Sequence, residues 1–235
     1  MAESIPLFPL GTVLFPGVVL PLHVFENRYR ELVSTLIEYR DGTPREFGVV
    51  AIRQGWEVGP KAAEALFEIG TVASLRQVTR HPDGRFDIIA IGTRRFRLRS
   101  VDAVSRPYLV GAVDRLPEAG ELAPRFAGSA AGNALRELAT QVGTAFLDYV
   151  AALAAARGVR PDGDELPEEP SALSYLVASV MLLPLEERQA LLAESSPVAR
   201  LRAELSQLGR EAALLRLLRA VPVPLTDLPT SSGPN

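Results

Sequence analysis

The sequence predicts an α+β protein in which a small, strongly bent β-sheet or barrel is followed by an α-helical bundle. Between residue 5 and about residue 115, short apolar runs alternate with proline, glycine and turn residues, and one helical repeat interrupts them. Beyond that point alanine and leucine become frequent, and apolar residues recur at helical spacing. We expect a β-rich domain over residues 1–118, a helical subdomain over 119–220, and a disordered, proline-containing tail over 221–235.

The β-rich part opens with prolines set among apolar residues, which predicts short, kinked strands because proline fixes φ and lacks an N–H. A helix is expected over Phe25–Arg40, because apolar residues recur there every three or four positions. Phe47–Ile52 is typical of a buried strand. The segment His81–Gly84 predicts a turn between two strands, and Gly92 and Thr93 indicate a bend or bulge.

In the second half, the spacing of Leu135, Val142, Phe146 and Tyr149 predicts a long helix within Phe126–Ala156. Ser171 is expected to cap the next helix, and Pro184 to open a short one. The pair at Ser196 and Pro197 predicts the start of the last helix. These helices complete the expected bundle.

Composition narrows the function classes. The net charge of −3 gives no general attraction to nucleic acid or anionic membranes, and the absence of cysteine excludes disulfides, thiol nucleophiles and thiolate metal sites. The longest apolar run, Tyr175–Leu185, falls short of the roughly 20 residues that a membrane span needs. We therefore expect a soluble, cytoplasmic protein without a membrane partner.

One segment carries a recognisable motif. Residues 7–29 read L-F-P-L-G-T-V-L-F-P-G-V-V-L-P-L-H-V-F-E-N-R-Y, and further matches follow at 47–52, 69–73, 83–96 and 182–192. Together they resemble the N-terminal, substrate-binding domain of the Lon ATP-dependent proteases, and in particular the stand-alone bacterial form of that domain. The resemblance covers roughly residues 4–219. It implies a barrel like that of pseudouridine synthase and archaeosine transglycosylase (PUA-like), a fold that RNA-binding modules also use.

The resemblance implies protein recognition, and the sequence gives no support for proteolysis. There is no G-x-x-x-x-G-K-[ST] loop to hold ATP phosphates, and the single lysine, Lys61, has no serine partner by pattern. We expect a module without enzymatic activity, cofactor or metal. Its expected partners are unfolded or degron-bearing proteins, or a protease or chaperone; the oligomeric state stays open.

The expected contact surface is where the prolines end and the first helix begins. Its residues are His23, Phe25, Glu26, Arg28, Tyr29 and Arg30. Because the helix must bury one stripe, Phe25 and Tyr29 are expected in the core and the charged residues on the exposed face. His23 is expected to be packed and hydrogen-bonded. His23 and His81 lie in different contexts in the sequence and predict neither a metal site nor a triad.

An alternative function is RNA binding. Residues 75–106 contain eight arginines against three aspartates, and alternation predicts that Arg95, Arg97 and Arg99 share one solvated strand face. No aromatic residue lies between these arginines on that face, so stacking on bases is unsupported. The sequence therefore favours protein recognition over nucleic-acid binding.

Overall fold

The computed structural model describes residues 3–39, 43–53, 65–118, 129–157 and 166–220. The expected tail over 221–235 and residues 119–124 of the expected boundary segment Pro117–Pro124 lie outside these residues. The division into domains stays a prediction. Within the described residues all strands lie between Glu3 and Arg115, and the helices beyond that point begin at Ala130.

In the part of the chain that the structure describes, six strands form one sheet in the order β2-β5-β4-β3-β1-β6. Their bounds are β1 Glu3–Leu10, β2 Val19–Val24, β3 Glu46–Ala51, β4 Ile69–Arg80, β5 Phe86–Asp102 and β6 Val110–Arg115. The first half of β5 pairs with β2, and its second half pairs with β6, so the sheet closes through five strands. Strands β1 and β3 are parallel, and the other pairings are antiparallel. The predicted bent sheet or barrel of an α+β fold is confirmed.

The described residues contain five helices: α1 Asn27–Ile37, α2 Ala130–Arg157, α3 Pro170–Val180, α4 Leu185–Ala193 and α5 Pro197–Ala220. The cap predicted at Ser171 is wrong: the carboxylate of Glu169 accepts the N–H of Ala172, and Pro170 occupies the first helical position. Pro184 precedes α4 as predicted, and the Ser196 hydroxyl accepts the N–H of Ala199 at the start of α5.

The turn and the bulge predicted in the β4–β5 hairpin are both present. The backbone N–H of His81 donates to the carbonyl of Arg85 at 2.9 Å, and Gly84 adopts a φ of 84°, which favours glycine. Between β4 and β5 the register passes from Arg94 to Gly92 and leaves Thr93 as the extra residue.

Two apolar clusters hold the strands together. The first takes buried residues from all five strands that close the sheet, and Phe96 is completely buried in it. A Cβ at Gly70 would lie 2.4 Å from the Phe96 ring, which explains why glycine stands there. The second cluster packs α1 against the other side of these strands, through Tyr29, Leu32, Val33 and Leu36. That face of β5 is therefore covered.

A third cluster joins the strands to the helices. Val13, Phe15 and Ile69 pack with buried residues of α2, α3, α4 and α5. The amide of Gln189 on α4 also donates to the carbonyl of Ile69 at 2.8 Å. The two halves of the fold therefore share one core.

Buried polar groups cross the same junction. The guanidinium of Arg95 is 3.2 Å from the Glu118 carboxylate and donates to the carbonyls of Leu192 and Glu194 at the end of α4. The Tyr175 hydroxyl donates to the other oxygen of Glu118 at 2.7 Å. A positive charge at the last carbonyls of a helix is favourable, so Arg95 serves as a polar anchor between β5 and α4.

One helix is long and apolar enough to span a membrane by length and composition. It covers Ala130–Ala155 within α2 and has a mean hydropathy of 1.3. The longest uninterrupted apolar run in the sequence, Tyr175–Leu185, lies outside this helix. Its stripe of Val142, Phe146 and Tyr149 packs in the cluster that joins the strands to the helices, and 28% of the apolar stretch is buried inside the structure.

Candidate functional site

The outer side of the β2–β5–β4 region is the candidate recognition surface. We call it the outer sheet face and define it by Val19, Pro21 and His23 of β2, Asp87 and Ile89 of β5, and Gln77 and Thr79 of β4. Val19, Pro21 and His23 stand opposite Ile91, Ile89 and Asp87, and directly opposed residues project on the same side of a sheet. The intervening residues Phe86, Ile88 and Ala90 are buried on the side of α1.

This face is apolar along β2 and open to solvent. Val19 is 54% exposed and Ile89 is 36% exposed, and Pro21 beside them is also exposed. In addition, β2 is an edge strand: within the described residues it pairs with β5 alone. An open edge next to exposed apolar side chains can accept another extended chain.

A cluster of two histidines and one carboxylate ends the apolar part of this face. The Nδ1 atom of His23 lies 2.6 Å from one oxygen of Asp87, and the Nε2 atom of His81 lies 2.6 Å from the other. Hydrogen bonds from both rings hold the pKa of Asp87 below its usual range, so the carboxylate is ionised at neutral pH. The sequence-based separation of the two histidines is wrong, because the hairpin turn places His81 beside the end of β2.

Arg85 completes this polar end. Its Nη1 atom lies 3.3 Å from the Nε2 atom of His23, and its Nε atom donates to Asp83 at 2.6 Å. Since a guanidinium can only donate, this contact favours the His23 tautomer that carries its proton on Nδ1, toward Asp87. The cluster thus ties β2 to the β4–β5 turn.

The structure separates the two aromatic residues expected in the core. Tyr29 is buried and stacks on Phe8 with the ring centroids 4.1 Å apart, as expected. Phe25 was expected to be buried, but it precedes the first turn of α1 and is 62% exposed. Its ring stacks instead on His23, with the centroids 6.3 Å apart. Phe25 therefore adds an exposed aromatic ring to the His23 end of the outer sheet face.

The charged residues of the predicted site lie at the start of α1 and are half-buried. Glu26 and Arg28 form an ion pair of 2.7 Å, and Arg28 also lies over the Tyr29 ring, 4.7 Å from its centroid. Arg30 donates to Asn27 and lines an open polar cavity of about 260 Å³ beside Gly84. These residues flank the outer sheet face without forming part of it.

The arginine face considered for RNA does not have the expected form. Arg95 was expected to be solvated, but it is 1% exposed because the helical half covers that part of β5. Arg97 lies 3.4 Å from Glu68, and Arg99 donates to Asp114 at 2.6 Å. Each of the three arginines thus has an acidic neighbour, so this strand does not present a continuous row of arginines to phosphates.

The fold is a mixed α+β fold, in which a barrel is joined to a helical half. The apolar edge of its sheet is a surface suited to recognition. The chain belongs to the family of ATP-dependent protease La (Lon) substrate-binding domains, whose family model matches residues 4–210. The resemblance found in the sequence motifs is thereby confirmed.

Relatives and solved structures agree with this assignment. The chain is 31% identical over 220 residues to "Lon protease 2" of Myxococcus xanthus and 30% identical over 195 residues to "Lon protease 2" of Syntrophobacter fumaroxidans. These alignments cover 92% and 82% of the chain but 24% and 22% of the relatives, so it spans about a quarter of their length.

Among solved structures, a Lon N-terminal domain protein from Xanthomonas campestris is similar, with a TM-score of 0.55 and 25% identity. That match covers 87% of this chain and 98% of the other. The N-terminal domain of a Mycobacterium avium complex Lon protease has the same fold, with a TM-score of 0.62 at 17% identity, covering 88% of this chain and 98% of that one.

Proposed function

We propose that this chain is a recognition module that binds extended segments of protein clients along β2 and performs no catalysis itself. The observation that carries the proposal is the open edge of β2 beside the exposed apolar residues Val19 and Ile89. Membership of a substrate-binding domain family supports this choice over other uses of an exposed sheet.

The backbone of β2 supplies the first part of the mechanism. Between Val19 and Val24, no backbone hydrogen bond leads to an element other than β5 within the described residues. A client segment in extended conformation would pair with this edge through the N–H groups of Val19 and His23 and extend the sheet by one strand, while Pro21 between them lacks an N–H and offers only its carbonyl. Such pairing uses backbone hydrogen bonds, which do not depend on side-chain identity, so it is compatible with many client sequences. Unfolded or degron-bearing proteins present such segments, whereas folded proteins do not.

The side chains of the outer sheet face supply selectivity. Val19, Pro21 and Ile89 form its apolar part, and Phe25 adds an aromatic ring at the His23 end. Alternate residues of the added strand would project on this side, so clients with apolar residues at every second position are favoured. The free energy of binding comes from the apolar area that the client and this face bury together.

The module would work beside other proteins. Its relatives are named as Lon proteases, and it matches about a quarter of their length. We propose that it delivers bound clients to a protease or chaperone, and that it acts in the cytoplasm. Affinity purification from the native host, followed by identification of the bound proteins, tests this part of the proposal.

Charge insertion on the outer sheet face tests the binding surface. The variants are Val19→Asp and Ile89→Asp, and the matched control is Val104→Asp, because Val104 is 93% exposed in the loop between β5 and β6. The probe is a fluorescently labelled, permanently unfolded protein such as reduced, carboxymethylated α-lactalbumin, and its anisotropy is measured against protein concentration. We expect both face variants to weaken binding about tenfold or more, because a charge would be buried against apolar client groups.

The control should bind like the wild type, and thermal unfolding should show that all three variants are folded. Equal weakening by Val104→Asp would indicate nonspecific charge repulsion. A wild-type chain that does not bind the probe, or face variants that bind it normally, would contradict the proposal.

The charged residues at the start of α1 give a second test. We propose that Arg28 and Arg30, which flank the outer sheet face, extend the contact surface to the start of α1. Reversal of their charge is therefore expected to weaken client capture and to change thermal stability little, because exposed ion pairs contribute about 1 kcal/mol or less. The ion pair between Glu26 and Arg28 is partly exposed, in keeping with that small cost. Equal losses of capture and of stability would show that these arginines are structural.

A further inference from the structure

We propose that His23, His81 and Asp87 form a binding site for one divalent transition-metal ion, with Zn²⁺ as its representative. The ligand atoms are Nδ1 of His23, Nε2 of His81 and a carboxylate oxygen of Asp87, and they all lie within 4.8 Å of one another. This inference does not depend on client binding by the outer sheet face.

The backbone holds these three residues in place. His23 and Asp87 are direct partners in the pairing of β2 with β5, which sets their side chains on one side of the sheet. His81 occupies the start of the hairpin turn, where its backbone N–H donates to the carbonyl of Arg85 at 2.9 Å. Ligands fixed by two paired strands and a hydrogen-bonded turn lose little conformational entropy when a metal binds.

The spacing needs only a small adjustment to admit a metal. A tetrahedral zinc ion with bonds of about 2.0–2.1 Å keeps its ligand atoms roughly 3.3 Å apart. The two nitrogen–oxygen pairs, which use different oxygens of Asp87, are each 2.6 Å apart and must open by less than about 1 Å. One ligand atom from each residue lies within 4.8 Å of the other two, so no pair must close by more than about 1.5 Å. Because all three side chains are partly exposed, they have room to move, and water can fill the remaining coordination positions.

The donor set selects the class of metal. Two imidazole nitrogens and one carboxylate oxygen suit Zn²⁺, Ni²⁺, Co²⁺ or Cu²⁺, whereas Ca²⁺ and Mg²⁺ prefer sites made of oxygen atoms. The chain has two histidines and no cysteine, and both histidines belong to this cluster. Tight zinc binding by this chain would therefore have to use them.

In the observed arrangement, the position of Arg85 disfavours metal binding. Its Nη1 atom lies 3.3 Å from Nε2 of His23, where it brings a positive charge and favours a proton on the Nδ1 atom that the metal requires. Metal binding at Nδ1 moves that proton to Nε2, and the guanidinium must then turn away. Removal of the Arg85 side chain should thus strengthen binding.

Calorimetric titration of the full chain, without an affinity tag, with ZnCl₂ tests the site. We expect one Zn²⁺ per chain with a dissociation constant in the micromolar range, and at least about tenfold weaker binding for His81→Ala and for Asp87→Ala. Asp114→Ala is the matched control, since Asp114 is an exposed strand carboxylate that pairs with Arg99 away from the cluster, and it should bind zinc like the wild type. Arg85→Ala should bind several-fold more tightly.

A second readout separates coordination from general electrostatics. Zinc should shift the imidazole nitrogen resonances of His23 and His81 in the NMR spectrum, and thermal unfolding should confirm that the variants are folded. A dissociation constant in the millimolar range, binding that His81→Ala leaves intact, or unshifted imidazole resonances would each overturn the site. Equal or weaker binding by Arg85→Ala would overturn the role assigned to that residue.

Discussion

The stability of the fold should depend on pH because of Glu204 on α5, and the substitution Glu204→Gln should remove that contribution. Its side chain is completely buried, and its Oε1 atom accepts the hydroxyl of Ser174 at 2.7 Å. Its Oε2 atom has no partner within the described residues, although Arg200 donates to the same serine at 2.6 Å. Burial raises the pKa of Glu204 from 4.5 to about 8, against smaller opposing effects of Ser174 and Arg200.

The direction of the pH effect follows from the protonation of Glu204 in the folded and in the unfolded state. Between about pH 5 and 8 the folded protein keeps Glu204 protonated, whereas the unfolded chain ionises it and so releases a proton. The contribution of Glu204 to stability is therefore fully present below pH 4.5 and is lost as the pH rises toward 8. The slope is about 1.4 kcal/mol per pH unit, which amounts to about 3–5 kcal/mol over the window.

The variant Glu204→Gln keeps the size of the side chain and its acceptor for Ser174, but it cannot ionise. We expect the free energy of unfolding of the variant, minus that of the wild type, to rise with pH and to level off near pH 8. Urea unfolding followed by circular dichroism at pH 5, 6, 7 and 8 measures this difference. Glu137→Gln, on an exposed position of α2, is the matched control and should show no such rise.

A difference between Glu204→Gln and wild type that stays flat from pH 5 to pH 8 would refute this reasoning. It would mean that Glu204 is ionised in the folded protein and that the nearby Arg200 stabilises its charge. The measured slope therefore distinguishes a neutral buried acid from a buried ion pair.

Three further substitutions test the packing. Arg95→Met should lower the free energy of unfolding by about 3–5 kcal/mol in urea titrations, because it leaves the Glu118 carboxylate without its buried partner; a loss below about 1 kcal/mol would contradict the anchoring role. Gly70→Ala should cost at least about 1–3 kcal/mol, since its Cβ would lie 2.4 Å from the Phe96 ring. Gly209→Ala in α5 should instead raise stability by up to about 1 kcal/mol, because nothing lies within 4 Å, and a loss there would show an unrecognised contact.

Local patterns in the sequence predicted the elements that depend on neighbours along the chain. The repeat of Tyr29, Leu32, Val33 and Leu36 predicted the buried stripe of α1, and the turn at His81–Gly84 appears where its residues predicted it. Helical spacing and strand alternation are properties of a single helix or strand. They can therefore be recognised in the sequence without knowledge of the elements that pack against it.

Residues whose surroundings come from distant segments could not be placed in this way. Alternation put Arg95 on a solvated face, and only the packing of α4 against β5 shows that this position is buried. Phe25 looked apolar enough for the core, but it precedes the turn of α1 that faces inward. Burial alternates around Ile89, with Ile88 and Ala90 buried, but these residues are all apolar, so the sequence does not show which side stays open.

The sequence by itself determined the family and the order of strands and helices, and the recognition site that it predicted around His23 stays a prediction. Only the tertiary structure decided that β2 lies at an open edge and that His23, His81 and Asp87 meet. The physical reason is that strand pairing brings together residues that lie far apart in the sequence, as the 64 positions between His23 and Asp87 show. Periodicity within a strand shows which of its residues share a face, but it does not identify the strand with which it pairs.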